Sequence, residues 1–250
     1  ASPSARLYVE PQALFAAHHR TYDAQQALAV LRSIAQRKHQ WSDILSTTKM
    51  APASLKNIME TLVGDLGLVE RVLPVTEQHQ TRSYHTQYHL TDNFLKFWFE
   101  FIEPNQGNIE FGSGERIVDA IFARLPDHMG LVFESMCRDW VRLAASANLL
   151  PVEVGRVGTW WNPNHQIDIV GLDRAGKAIL VGESKWTNQP FDWSDMAHYL
   201  DHVRALGDTV DPGALHLIFS KSGFQDNVVN WAEKISAKLL TPADMLSPFV

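Results

Sequence analysis

Asp168 is followed fifteen residues later by Glu183-Ser184-Lys185, and both groups stand in apolar surroundings. The first segment reads Gln166-Ile167-Asp168-Ile169-Val170, the second Ala178-Ile179-Leu180-Val181-Gly182-Glu183-Ser184-Lys185. Two carboxylates are the groups that would hold a hard divalent cation, and an ammonium beside them would orient an activated water. They must first be brought together. Both segments have the composition of β-strands, and Asp173-Arg174-Ala175-Gly176-Lys177 between them has the composition of a turn. A hairpin folded about Ala175 and Gly176 sets Asp168 opposite Glu183. Side chains two apart on a strand share a face, so Glu183 and Lys185 would join Asp168 in one patch while Ser184 points away. The plain alternative is a solvated hairpin with charges on its open face. Against it stand Ile167, Ile169, Val170 and Val181, which make these strands apolar.

An aspartate strand followed by an acid-x-Lys strand resembles the core of the PD-(D/E)XK nucleases. Such folds often carry a further acid on a helix before the hairpin. Glu134 is the candidate here, within the helical pattern Gly130-Leu131-Val132-Phe133-Glu134-Ser135-Met136-Cys137-Arg138. The resemblance implies that Asp168, Glu183 and the backbone carbonyl of Ser184 bind Mg²⁺ or Mn²⁺, with Glu134 completing or supporting the site. Lys185 would orient the attacking water and lower its pKa.

Composition restricts the setting. With 45% hydrophobic and 20% charged residues, the 250-residue chain has the make-up of a soluble globular protein of one large domain or two small ones. No apolar run reaches the length of a membrane span, so no membrane association is expected. One cysteine, Cys137, excludes an internal disulfide and a cysteine-based zinc cluster. A buried small hydrophobe in a cytoplasmic protein is its expected role. The net charge of −6 is unevenly spread: residues 1–90 hold 9 Lys+Arg against 7 Asp+Glu, residues 91–250 hold 13 against 21. The acidic half suits a cation but offers no basic groove for a phosphate backbone.

Residues 1–90 read as a winged helix-turn-helix domain. Asp23 can cap a helix with apolar Ala27, Leu28, Leu31 and Ile34 at helical period. A short helix about Trp41–Leu45 follows, then a third opened by Pro52 and ending near Gly64 and Gly67. Residues 68–72 and 83–90 would be the wing strands, with a polar tip from Thr76 to Arg82. The third helix is the candidate reading element for DNA, through Ser54, Lys56, Asn57 and Thr61, with Arg82 on the wing. Residues 91–127 form an aromatic-rich helical connector whose Phe97-Trp98-Phe99 density signals packing. Helices are expected at 115–125 and 128–147 and an edge strand at 152–155. Residues 128–250 complete an α/β (α+β) fold with a mixed sheet, PD-(D/E)XK-like in its layout.

A second resemblance covers residues 20–225. Tyr88-x-Leu90-x-Asp92-x-Phe94-Leu95-x-Phe97-Trp98, Gly130-x-x-Phe133-Glu134, Trp160-Trp161, Gln166-Ile167-Asp168 and Glu183-Ser184-Lys185-Trp186 are similar to the C-terminal part of archaeal and bacterial DEXX-box ATPases. That resemblance implies a P-loop ATPase module upstream, as partner or as the preceding part of a longer chain. The absence of an initiator methionine at Ala1 accords with a processed form or fragment. The string Gly171-Leu172-Asp173-Arg174-Ala175-Gly176-Lys177-Ala178 has phosphate-loop spacing, but Ala178 stands where Ser or Thr would bind magnesium. It reads as a hairpin turn, so nucleotide binding is not expected.

The functional expectation is a metal-dependent nuclease-like domain acting on nucleic acid, with a winged helix for DNA or a partner. The alternative is a catalytically silent interaction module of a DEXX-box ATPase.

Overall fold

The structure, a computed structural model, describes residues 23–78, 83–235 and 237–246. These fall into two compact units. The first holds the residues through Val72 together with Tyr84–Leu125; the second holds Leu73–Ser83 and the chain from Pro126 onward. Arg82, the wing candidate, lies outside the described residues.

In the first unit, α1 (Ala24–Ala35) begins where Asp23 Oδ1 accepts the backbone N–H groups of Gln25 and Gln26 at 3.0 and 3.2 Å. Such a cap satisfies donors that the first helical turn otherwise leaves orphaned. Helices α2 (Trp41–Thr48) and α3 (Pro52–Glu60) follow. Pro52 occupies the first turn of α3, where its missing N–H costs nothing. The hairpin of β1 (Val69–Val72) and β2 (Gln87–Leu90) is antiparallel, from Val69↔Leu90 to Val72↔Gln87. Three helices thus precede a two-stranded antiparallel hairpin, the element order expected from the sequence. Both wing strands are shorter than the sequence suggests.

Ala27, Leu31, Ile44, Leu55, Leu62, Val69 and Leu90 form this unit's core. The aromatic segment joins it: Asp92 caps α4 (Asn93–Phe97), and Leu95, Trp98, Phe99 and Ile102 are buried in the same cluster. After a π-helical turn at Trp98–Ile102 the chain runs through the short α5 (Gln106–Glu110).

The long helix α6 (Glu115–Ser146) replaces the two helices expected at 115–125 and 128–147. Pro126 lies inside it, and the division between units falls just before that proline. Proline removes a hydrogen bond from a helix without necessarily ending it.

The second unit is built on a five-stranded sheet ordered β3 (Arg156–Trp161), β4 (Gln166–Leu172), β5 (Ala178–Lys185), β6 (Val210–Ser220), β7 (Lys238–Leu240). Strands β3, β4 and β5 are antiparallel neighbours; β5, β6 and β7 are parallel, so the sheet is mixed. The edge strand is Arg156–Trp161, four residues beyond the start expected at 152, because Gly158 and the two tryptophans pair with β4. One face packs Ile169, Leu180, Leu217 and Phe219 against Phe133, Cys137 and Trp140 of α6. The other packs Val181 and Ile218 against Met196 and Tyr199 of α7 (Trp193–Ala205) and Val228 of α8 (Asp226–Ile235). The short α9 (Pro242–Leu246) closes the described chain, its Met245 carbonyl accepting the Trp140 indole N–H at 2.8 Å. Cys137 is a buried hydrophobe, and burial pushes its thiol pKa up.

Of the polar wing tip expected from Thr76 to Arg82, the described part, Thr76–Gln78, belongs with Leu73, Pro74 and Val75 to this second unit. Val75 is fully buried there, against Ile167 and Val170, and a Cβ on Gly158 would come within 2.9 Å of it. Between β4 and β5, Asp173 Oδ1 accepts the N–H groups of Ala175 and Lys177 at 2.8 Å each, and Gly176 takes φ +87°. The phosphate-loop-like string is thus a hairpin turn. Among the described residues, no helix is long and apolar enough to cross a membrane.

Gly182 is required by the contact between β5 and β6. A Cβ there would stand 2.7 Å from the Leu217 carbonyl oxygen, which is backbone and cannot swing aside. Gly182→Ala is expected to cost about 1–3 kcal/mol of stability, the usual range for overpacking. Gly64→Ala, where nothing lies within 4 Å, should not lower stability. Urea denaturation of both variants checks the contrast.

Candidate functional site

The site begins with a mismatch between strands. Gly158 pairs with Val170, whereas Trp160 pairs with Ile167: β4 takes three steps where β3 takes two. The extra residue makes a β-bulge at Asp168 and Ile169, opposite Thr159, whose hydroxyl donates to the Ile167 carbonyl at 2.8 Å. The bulge shifts the alternation, so Ile167 and Val170 pack in one cluster while Ile169 packs in another.

On its other edge β4 pairs with β5 through Val170↔Val181 and Ile169↔Gly182, the register that a fold about Ala175 and Gly176 demands. Asp168 and Glu183 come next on the two strands, where the ladder stops. There the carboxylate of Asp168 takes the place of a backbone acceptor. Its Oδ2 receives the Ser184 N–H at 3.1 Å and the Ser184 hydroxyl at 2.9 Å, and its Oδ1 receives Gln166 Nε2 at 3.4 Å. Asp168 therefore fills a fork between the strands and is only 6% exposed. Burial raises its pKa, while Ser184, Arg138 and Gln166 pull it down. Ser184 does point away from Glu183, as alternation requires, but it is the partner of Asp168 instead of a bystander. The bulge, which turns Asp168 toward Ser184, is the cause.

Glu183 follows Val181 on the α7 side of the sheet, and its Oε2 is buried without a hydrogen-bond partner. Burial pushes its pKa well above the ordinary 4.5, and Asp168, Glu134 and Asp195 add to the rise in that order. All three are acids. Glu134 on α6 pairs with Arg138 one turn later at 3.9 Å, and Arg138 Nη1 donates to the Asp168 carbonyl at 3.2 Å.

Lys185 emerges two residues beyond Glu183, but its ammonium pairs with Asp195 of α7 and stands 5.8 Å from the Phe191 ring. Sequence reasoning missed Asp195. Its Oδ2 accepts the Asp192 N–H at 3.0 Å while Asp192 Oδ1 accepts the Asp195 N–H at 3.0 Å, a reciprocal capping box. The Asp-x-x-Asp spacing ahead of α7 could have revealed the cap. Its tie to Lys185 has no local signal. Tyr199 was also missed: its hydroxyl lies 2.7 Å from His216 Nδ1, and burial together with Glu183 pushes its pKa well up.

Among the described residues, no group of three or more His, Cys, Asp or Glu side chains is arranged as a metal cluster. In the first unit, Lys56 and Asn57 are exposed on α3, with Lys56 leaning toward Glu60 at 3.7 Å, and Ser54 is half-buried. Thr61, also half-buried, opens the π-helical turn Thr61–Asp65 that continues α3.

Residues 98–197, which include Glu134, Asp168, Glu183 and Lys185, match a family model described as archaeal and bacterial proteins of unknown function. An uncharacterized protein of Methanocaldococcus jannaschii is 29% identical over 157 residues, covering 63% of this chain and 35% of that protein. The chain thus corresponds to about a third of that relative's length. No solved structure matches it.

The electrostatics give a testable sign. A carboxylate whose folded pKa is raised favours the fold while protonated and opposes it once ionised, so its contribution falls as pH rises above the unfolded value of 4.5. Glu183→Gln removes the buried charge and keeps the shape. The variant should match the parent near pH 4 and become progressively more stable than it toward pH 8. Thermal midpoints measured across that range in chelator give the answer; a constant difference would mean that Glu183 is not strained by its charge.

Proposed function

We propose that the second unit is a metal-dependent, nuclease-like domain that hydrolyses phosphodiesters in nucleic acid, with Asp168 and Glu183 as the cation-binding acids. The observation that carries this reading is the buried, unpartnered Oε2 of Glu183 with three acids pressing on it. A positive charge in the fork would relieve Glu183, the one of the four carboxylates with a buried oxygen that has no partner. Lys185 does not supply it, being paired with Asp195.

The donor set fits Mg²⁺ or Mn²⁺. Magnesium keeps several waters and is commonly held by one or two carboxylates, so a cluster of three acids is not required. Ser184 donates its N–H toward Asp168. The N–H and C=O of one strand residue point the same way, so its carbonyl opens on the fork as well. When bound, the ion would supply stabilisation for the charge that builds on the phosphate oxygens. The chain's own residues do the rest. Ser184 and Arg138 fix Asp168, Asp195 holds the Lys185 ammonium where it can orient a water, and Glu134 adds negative potential that favours the cation.

The winged helix would contact DNA weakly through Lys56 and Asn57, since Glu60 offsets part of the Lys56 charge. A P-loop ATPase module is the proposed partner. The sequence resemblance suggests it, and the greater length of the archaeal relative leaves room for one.

A second reading draws on a specific feature of the same site. Asp168 is already satisfied by Ser184, and Lys185 by Asp195. A domain whose charges are quenched internally could serve as a silent docking module of an ATPase.

A Mn²⁺ titration separates the two. On the catalytic reading, Mn²⁺ at a hundred times its Kd should stabilise the parent by about 2.7 kcal/mol. Asp168→Asn should abolish both that stabilisation and metal-dependent cleavage. Failure of the parent to bind Mn²⁺ would leave the docking module. For the winged helix, Lys56→Ala should reduce the salt slope of duplex DNA binding by about 0.9, the value for one lost phosphate contact. Fluorescence anisotropy at several salt concentrations measures it.

A further inference from the structure

Lys221 ends β6 at the carboxyl edge of the parallel part of the sheet, one backbone hydrogen bond from the proposed site: its N–H donates to the Lys185 carbonyl at 3.0 Å. In open α/β sheets, ligands collect outside the carboxyl ends of parallel strands. The loops that follow β5 and β6 here are bonded into one layer. The Phe191 N–H donates to the Gly223 carbonyl at 2.9 Å, the Gln225 N–H to the Phe191 carbonyl at 3.0 Å, and the Ser222 hydroxyl to the Thr187 carbonyl at 2.6 Å.

That layer holds the Lys221 ammonium in an unusual way. It donates to Asn188 Oδ1 at 2.7 Å and stands 5.1 Å from the centroid of the Trp186 ring. Trp186 is itself braced by Phe133 of α6, with ring centroids 5.0 Å apart. Among the described residues Lys221 forms no ion pair, although residues 91–250 carry 21 acids against 13 bases. An ammonium has three donors. One is used by Asn188, and the indole face attracts the charge without accepting a conventional hydrogen bond. Asn188 and Lys221 are both exposed. A lysine immobilised by neutral groups, with donors to spare and its charge uncancelled, has the properties of a prepared anion contact.

The position says which anion. Ser184 and Trp186 lie two apart on the same side of β5, and Ser184 holds Asp168. The row Asp168, Ser184, Trp186, Lys221 therefore leads from the fork to the ammonium. From this placement we infer that Lys221, clamped by Trp186 and Asn188, binds a backbone phosphate of the nucleic acid whose neighbouring phosphodiester lies at the Asp168–Glu183 fork. The inference rests on the reading of that fork as a nucleic-acid site.

The experiment uses the full chain carrying Lys56→Ala, so that winged-helix binding does not mask the effect. Fluorescent DNA and RNA oligonucleotides of about ten nucleotides are titrated in chelator, where no cleavage occurs, at several salt concentrations. Lys221→Gln, which keeps the length and polarity of the side chain, should lower affinity several-fold and flatten the salt slope by about 0.7–0.9, one phosphate contact. Lys221→Arg should restore both. Thermal midpoints confirm that the variants are folded. Unchanged affinity and slope in Lys221→Gln, or no binding of either oligonucleotide before Lys221 is changed, would overturn the assignment. The two proposals fail separately. Loss of binding in Lys221→Gln without any metal-dependent cleavage by the parent rejects only hydrolysis. Mn²⁺ binding and cleavage with no effect at Lys221 rejects only the phosphate contact.

Discussion

Everything at the candidate site follows from one extra residue in β4. The bulge opposite Thr159 ends regular pairing with β5 after Ile169↔Gly182, and the Asp168 carboxylate enters the gap to receive the Ser184 N–H. A backbone donor left unpaired inside a protein costs roughly 1–3 kcal/mol, so the aspartate completes the ladder as well as charging the fork. An acid that also satisfies the fold is held firmly, with little freedom to choose another rotamer. Bulges recur beside active sites for this reason: they re-aim a side chain without disturbing the sheet around it.

The fork concentrates negative charge because the elements meeting there each deliver an acid. β4 brings Asp168, β5 brings Glu183, α6 brings Glu134 and the capped end of α7 brings Asp195. Three of these acids have structural partners, Ser184 for Asp168, Lys185 for Asp195 and Arg138 for Glu134. Glu183 is left with a buried oxygen that nothing satisfies. Buried polar atoms without partners are uncommon in folded proteins, and where they occur they point to strain or to a ligand. The fold tolerates the arrangement because the sheet is anchored elsewhere, by the α6 face about Phe133 and Trp140 and by the α7 face about Met196 and Tyr199. Stability comes from those two apolar layers, which leaves the carboxyl edge of β5 free to be frustrated.

On the proposed reading the two units would meet nucleic acid differently. The first unit exposes a few polar groups on α3 and one lysine that shares its charge with Glu60. Such a surface supports contact more than grip. The second unit is acidic overall, yet it holds Lys185 and Lys221 side by side at the strand ends, one fixed by a carboxylate and the other by neutral groups. Net charge is therefore a poor guide to this protein. On the proposed reading, Lys221 would meet a phosphate that the protein as a whole repels, because charges beyond a Debye length of about 8 Å are largely screened.

Local chemistry settled a good deal before any tertiary contact was known. The Asp173–Gly176 turn, the strand character of β4 and β5 and the register that pairs Ile169 with Gly182 all follow from residues close in the chain. So do the order of the three helices and hairpin in the first unit and the capping role of Asp23. Such features are legible because turn preference, capping and periodicity act over a few residues. Only the folded chain decided the rest. The bulge is a disagreement between two strands and cannot be seen in either alone, and with it came the partnership of Asp168 with Ser184. Asp195 meets Lys185 because the crossover from β5 returns α7 to the sheet. Val75, just ahead of the expected wing tip, enters the second unit's core where Gly158 leaves room for it. In each case the deciding energy is a contact between segments distant in sequence, which no window of neighbouring residues contains.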